Sequence, residues 1–97
     1  MPAYVIANIE ASDPEAFKEY VAGAPATVAA HGGTYIVRTA SVDAVEGDWK
    51  PARIAVIRFD SVEKAKGWYE SPEYKALRAV RAKCATAKIL LVEGTGA

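Results

Sequence analysis

Apolar positions come in four short bursts, separated by stretches of helical spacing. Residues 3–9 (Ala-Tyr-Val-Ile-Ala-Asn-Ile) mix β-branched and aromatic side chains, which predicts a strand. Ser12-Asp13-Pro14-Glu15 then opens a helix. Asp13 as N-cap with Pro14 at the first helical position is preferred to the alternative, a capping box from Ser12 to Glu15. Phe17, Tyr20, Val21, Ala24 and Val28 recur at three or four and form one apolar face. Pro25 lacks an amide hydrogen and crowds the previous turn, so a kink or a second short piece is expected there. His31-Gly32-Gly33 is a helix stop, the glycines supplying the left-handed conformation. Residues 34–39 and 53–60 read as the second and third strands. Ser61 caps a helix through Trp68 and Tyr69, and Ser71-Pro72-Glu73 starts another that carries Tyr74, Leu77, Val80, Arg81 and Cys84 on one side. Residues 87–93 read as the last strand and 94–97 as a loose tail. The order β-α-β-β-α-β is the ferredoxin-like pattern, an α+β fold with a four-stranded antiparallel sheet and its helices on one face.

The strands are apolar on both faces. Val5, Ala7 and Ile9 alternate with Tyr4 and Ile6; Ala55, Ile57 and Phe59 with Ile54 and Val56; Ile89 and Leu91 with Leu90 and Val92. A half-wet antiparallel sheet should alternate apolar and polar. Helices cover only one of these faces, and the chain has no residues left for the other. A second copy packed sheet to sheet about a two-fold axis is the simplest cover, burying about 1,600 Å² or more in total.

Composition narrows the class. The 97 residues suit a single domain spanning 1–97. Twelve basic and twelve acidic residues cancel, leaving no basic field for nucleic acid. No apolar run approaches the ~20 residues of a membrane span, and the first residues lack a basic, then apolar, leader pattern. One cysteine, Cys84, fits a reducing, cytoplasmic setting. With one histidine and one cysteine, no metal cluster is expected, and no phosphate-binding glycine loop is present.

The densest chemistry lies in Glu46-Gly47-Asp48-Trp49-Lys50-Pro51-Ala52-Arg53, between the second and third strands. It reads either as a loop that locks one end of the sheet or as a polar mouth. In the second case Arg38, Asp48, Trp49 and Arg53 would recognise a small polar or acidic molecule. Arg38 and Arg53 flank the loop and would pair with Glu46 and Asp48. Asn8 interrupts an apolar strand, where an unbonded amide is costly. It either bonds locally or faces a ligand. Arg78 and Arg81 are neighbours on one helix and form either surface pairs or an anion clamp with Tyr74 nearby. His31 either closes its helix or acts as a base with Asp48 as partner.

Three motifs in order, His31-Gly-Gly-Thr-Tyr-Ile-Val-Arg38, Glu46-Gly-Asp-Trp-Lys-Pro-Ala-Arg53 and Trp68-Tyr-Glu-Ser-Pro-Glu-Tyr74, resemble the DUF1330 family of the dimeric α/β-barrel superfamily. The resemblance spans nearly the whole chain. It implies a ferredoxin-like protomer and a dimer whose two sheets form a barrel, and it implies no reaction. The superfamily includes cofactor-independent oxygenases, haem-degrading oxygenases, isomerases and ligand-binding domains. In oxygenase relatives an Asn on the first strand and a Trp on the second helical segment face a common cavity, and Asn8 and Trp68 match those positions approximately. The histidine that haem-degrading relatives carry after the Trp is missing, which argues against haem. The resulting expectation is a cofactor-free dimer that binds a small aromatic or acidic ligand. Asn8, Trp68, Arg78 and His31 are then candidate catalytic residues for an oxygenase or isomerase. The alternative is a non-catalytic binding or structural dimer module.

Overall fold

Four strands pair in the order β2-β3-β1-β4, every neighbouring pair antiparallel. They are β1 (Ala3–Ala11), β2 (Thr34–Thr39), β3 (Ile54–Phe59) and β4 (Ala85–Glu93). The computed structural model describes residues 1–95. Helices α1 (Pro14–Ala30), α2 (Val62–Tyr69) and α3 (Pro72–Ala82) pack on one face of the sheet, giving the ferredoxin-like α+β fold. β1 and β4 run longer than their apolar bursts, to Ala11 and back to Ala85. The tail is tied down at its start, since the Gly94 amide donates to the Pro2 carbonyl at 2.7 Å. Gly96 and Ala97 lie outside the described residues.

The caps follow local chemistry. Asp13 accepts from the Ala16 amide, the preferred of the two registers, while Ser61 and Ser71 cap α2 and α3. α1 ends in paired bonds from Gly32 to Ala29 and from Gly33 to Val28, with Gly32 at φ +78°. The break expected at Pro25 does not occur, and α1 runs helical through it. An interior proline costs about 3 kcal/mol. Tyr20 and Ala24 before it, and Thr27 and Val28 after it, are buried on one face, and the Thr27 hydroxyl donates to the Ala24 carbonyl at 2.8 Å. That burial offsets the lost bond. α3 stops at Ala82, short of Cys84, whose carbonyl instead accepts from the Ser12 and Asp13 amides.

The core lies between sheet and helices. Ala3, Val5, Ile57 and Phe59 meet Tyr20, Ala24, Val28, Ala65, Trp68 and Tyr74 there. Gly33 passes close to this layer. A Cβ at Gly33 would sit 2.7 Å from the Phe59 ring and 2.8 Å from Val28. Overpacking of that kind costs about 1–3 kcal/mol. Gly33→Ala is therefore expected to lower the unfolding free energy by that amount, read as a lower urea midpoint, and an unchanged midpoint would contradict the packing described.

The opposite sheet face carries Tyr4, Ile6, Val37, Ile54, Val56, Leu90 and Val92. Within the protomer no helix covers them, and Leu90 is 59% exposed.

Candidate functional site

The site is a cleft between α1 and the helix-side face of the sheet. Small side chains open it. Ala7 and Ala55 face each other across β1 and β3, and Ala24 of α1 stands above them. The cleft proper encloses about 80 Å³. A groove of about 460 Å³ adjoins it and shares Ile9, Phe17, Val21 and Arg53 as walls. The groove alone falls within the roughly 300–1,000 Å³ of small-ligand sites.

A β-bulge sets the polar lining. Pairing steps from Tyr35↔Ile57 to Val37↔Val56, so Ile36 is the extra residue. Residues three apart on a regular strand face opposite ways. The bulge instead turns Tyr35 and Arg38 to the same side, and both line the cleft. The Arg38 guanidinium stands 5.0 Å from the centre of the Tyr35 ring. Arg53, just before β3, reaches the cleft from the neighbouring strand. Among the described residues no carboxylate lies within 4.0 Å of either guanidinium, so the ion network expected with Glu46 and Asp48 does not form.

At the floor, the Tyr20 and Tyr74 hydroxyls bond to each other, and Arg81 Nη1 donates to the Tyr74 oxygen at 3.0 Å. Burial, then the nearby Tyr20 phenol, push the Tyr74 phenol far above its ordinary range. Burial first, and Tyr20 next, also raise the Tyr35 phenol. Both are neutral phenols near pH 7.

The expected pairing of Asn8 with Trp68 is corrected. Val5 and Ala7 face the helices, so Asn8 points to the opposite sheet face. There its amide nitrogen donates to Glu10 Oε2 and to the Arg53 carbonyl, both at 3.1 Å, and its oxygen accepts from Trp49 Nε1 at 3.4 Å. Glu10 also accepts from the Ala52 amide at 3.3 Å. Asn8 thus uses its capacity in docking the Glu46–Arg53 loop onto β1. It fixes the backbone of Arg53, whose side chain lines the cleft. Gly47 makes the turn at φ +87°, and Trp49 remains 54% exposed.

Trp68 is in the core, 2% exposed, its ring 4.1 Å from that of Tyr74 and its indole N–H donating to Thr27 Oγ1 at 3.1 Å. It forms part of the inner cleft wall. The Arg78 guanidinium stands 4.0 Å from the centre of the Tyr69 ring and donates to the Tyr69 carbonyl at 3.4 Å, whereas Arg81 donates to the Tyr74 hydroxyl. The two arginines therefore form no clamp. His31 meets Glu73, not Asp48, at 3.4 Å. The Ser71 hydroxyl first, and the bond with His31 next, hold the exposed Glu73 carboxyl below its ordinary range. Asp48 makes no side-chain bond among the described residues.

Of the expected residues the structure therefore brings together Arg38, Arg53, Trp68, Tyr74 and Arg81. Asn8, Asp48, Trp49, His31 and Arg78 lie elsewhere. Tyr20 and Tyr35 are additions. The helical spacing placed Tyr20 on the core face, yet nothing in the sequence signals its contact 54 residues away. Among the described residues no group of three or more His, Cys, Asp or Glu could hold a metal ion, and no helix is long and apolar enough to cross a membrane.

Solved structures share this fold at low identity. A protein of unknown function from Rhodopseudomonas palustris, RPA0582, superposes with a TM-score of 0.76 at 14% identity, over 96% of this chain and 82% of that one. SnoaB, a cofactor-independent oxygenase from Streptomyces nogalater, gives 0.69 at 13% identity over 96% and 92%. A dimeric ferredoxin-like protein of unknown function from Thermobifida fusca gives 0.68 at 16% over 97% and 92%. At these identities the likeness concerns the fold. Among curated proteins none matches this sequence. The sequence pattern of DUF1330, a domain of unknown function, matches residues 2–95, and the chain belongs to that family.

Proposed function

We propose that this protein binds a small organic anion with an apolar body in the cleft between α1 and the sheet, and that it does so as a homodimer. The observation that carries the ligand reading is the pair of arginines, Arg38 and Arg53, at one cleft without a carboxylate partner among the described residues. Two neighbouring guanidiniums repel each other, and a carboxylate bridging them relieves that repulsion through charge-assisted bonds. The apolar body would lie against Ile9, Phe17 and Val21.

Shape supports the dimer. The protomer is a slab of 36 × 35 × 15 Å that exposes 6,097 Å². A monomer of this mass typically exposes about 5,400 Å². The slab also leaves open an apolar sheet face of the kind two copies bury against each other.

Cofactor-free oxygenase or isomerase chemistry is the second reading. The bonded Tyr20–Tyr74–Arg81 chain at the cleft floor favours it, since such a chain can stabilise a developing oxyanion. The likeness to SnoaB adds fold context only.

Calorimetric titration with 4-isopropylbenzoate tests the binding reading. The protein should bind it, and Arg38→Ala and Arg53→Ala should each weaken binding about tenfold, in line with loss of one charged hydrogen-bonding partner. Ala55→Leu should abolish binding by filling the cleft. Binding unchanged in all three variants, or no binding by the wild type, would overturn the assignment.

A further inference from the structure

The hydrogen-bond order at the cleft floor has a direction. A guanidinium has donors and no acceptor. The Tyr74 oxygen therefore accepts from Arg81, and its own proton needs an acceptor. Tyr74 is 1% exposed, and among the described residues the Tyr20 oxygen is the acceptor within reach. Tyr20 thus receives the Tyr74 proton. Its own proton meets no acceptor among the described residues, while Tyr20 itself lines the cleft. Tyr35 also lines the cleft, and its hydroxyl has no hydrogen-bond partner among the described residues. A carbonyl or oxyanion is the group that two free phenol protons satisfy. The enclosed space around them, about 80 Å³, admits only the narrow end of a ligand.

We propose that Tyr20 and Tyr35 form a two-donor site for an acceptor oxygen, so that the ligand is an aryl carboxylate bearing a carbonyl or phenolate oxygen at the end remote from its carboxylate. This rests on the binding reading above: the carboxylate meets Arg38 and Arg53 at the mouth, and the remote oxygen meets the two phenols at the floor. Tyr20 and Tyr35 are binding residues. Arg81 is a positioning residue, because it sets the direction of the Tyr74–Tyr20 bond without touching the ligand.

The test compares 4-acetylbenzoate with 4-isopropylbenzoate, which have nearly the same shape and differ in the carbonyl oxygen. The wild type should prefer the acetyl compound by about tenfold, the worth of one or two net hydrogen bonds. Tyr35→Phe and Tyr20→Phe should each reduce that preference, read as the ratio of the two affinities within the variant. Arg81→Met should also reduce it, since the Tyr74 oxygen then becomes free to accept the Tyr20 proton. Tyr35→Phe removes a hydroxyl that has no protein partner, so it keeps the test decisive if Tyr20→Phe misfolds. Equal binding of the two compounds by the wild type, or a preference that survives Tyr35→Phe and Arg81→Met, overturns this inference and leaves the arginine site standing. Failure of both compounds to bind overturns the binding reading itself.

Discussion

Replacing Trp68 with alanine is expected to cost about 3–5 kcal/mol of folding free energy, the usual range for deleting a buried aromatic ring. Trp68 has that value because it ties α2 to the sheet and to both other helices. Its ring lies 5.6 Å from Phe59 of β3 and 4.1 Å from Tyr74 of α3, and its N–H ties α2 to Thr27 of α1. Removal leaves a cavity lined by aromatics and takes from Thr27 Oγ1 the N–H it accepts, while its own bond to the Ala24 carbonyl stays. Domains of this size carry about 5–15 kcal/mol in total, so the variant would be close to unfolded. Trp68→Phe keeps most of the ring and should lose far less. Urea denaturation at a fixed protein concentration checks both, because the stability of the proposed dimer would depend on concentration. A loss under about 1 kcal/mol for the alanine variant would mean that Trp68 is less central to the core than its burial indicates.

Ile6→Glu is expected to convert the proposed homodimer to a monomer. Ile6 sits at the centre of the open face, paired with Val56 on one side and Leu90 on the other. In a protomer alone a glutamate there would reach solvent at little cost. Against a second apolar sheet it would be an unpaired buried charge, which costs several kcal/mol and enters twice in a symmetric interface. Light scattering at micromolar concentration should give twice the 10.3 kDa chain mass for the wild type and the single-chain mass for the variant. A wild type already at the single-chain mass, or a variant that stays dimeric, contradicts sheet-to-sheet assembly.

The fold was largely legible because its signals are local. Caps at Asp13, Ser61 and Ser71, the glycines after His31 and four β-branched bursts each act within a few residues. Pro25 misled because its penalty is local while its compensation, burial of Tyr20, Ala24, Thr27 and Val28 against the sheet and α3, is tertiary. The site was less legible. The face of Asn8 was readable, since with Val5 and Ala7 turned inward the residue next to them turns outward. The resemblance to oxygenase relatives points the other way, to a shared cavity with Trp68. The shared face of Tyr35 and Arg38 was not readable, because it depends on one extra residue at Ile36 that changes the pairing register. The contacts of Tyr20 with Tyr74 and of Asn8 with the 46–53 loop span 54 and more than 40 residues, and no periodicity encodes them. The dense loop reads as a docked lock on β1, contributing its final residue, Arg53, to the cleft.

The most direct test of the central claim is an amide and side-chain NMR titration with 4-acetylbenzoate. The account predicts saturable shifts at Tyr20, Tyr35, Arg38, Arg53 and Ala55. Shifts confined to the groove on the opposite face around Asn8, Trp49 and Lys88, or no saturable shift at all, would contradict it.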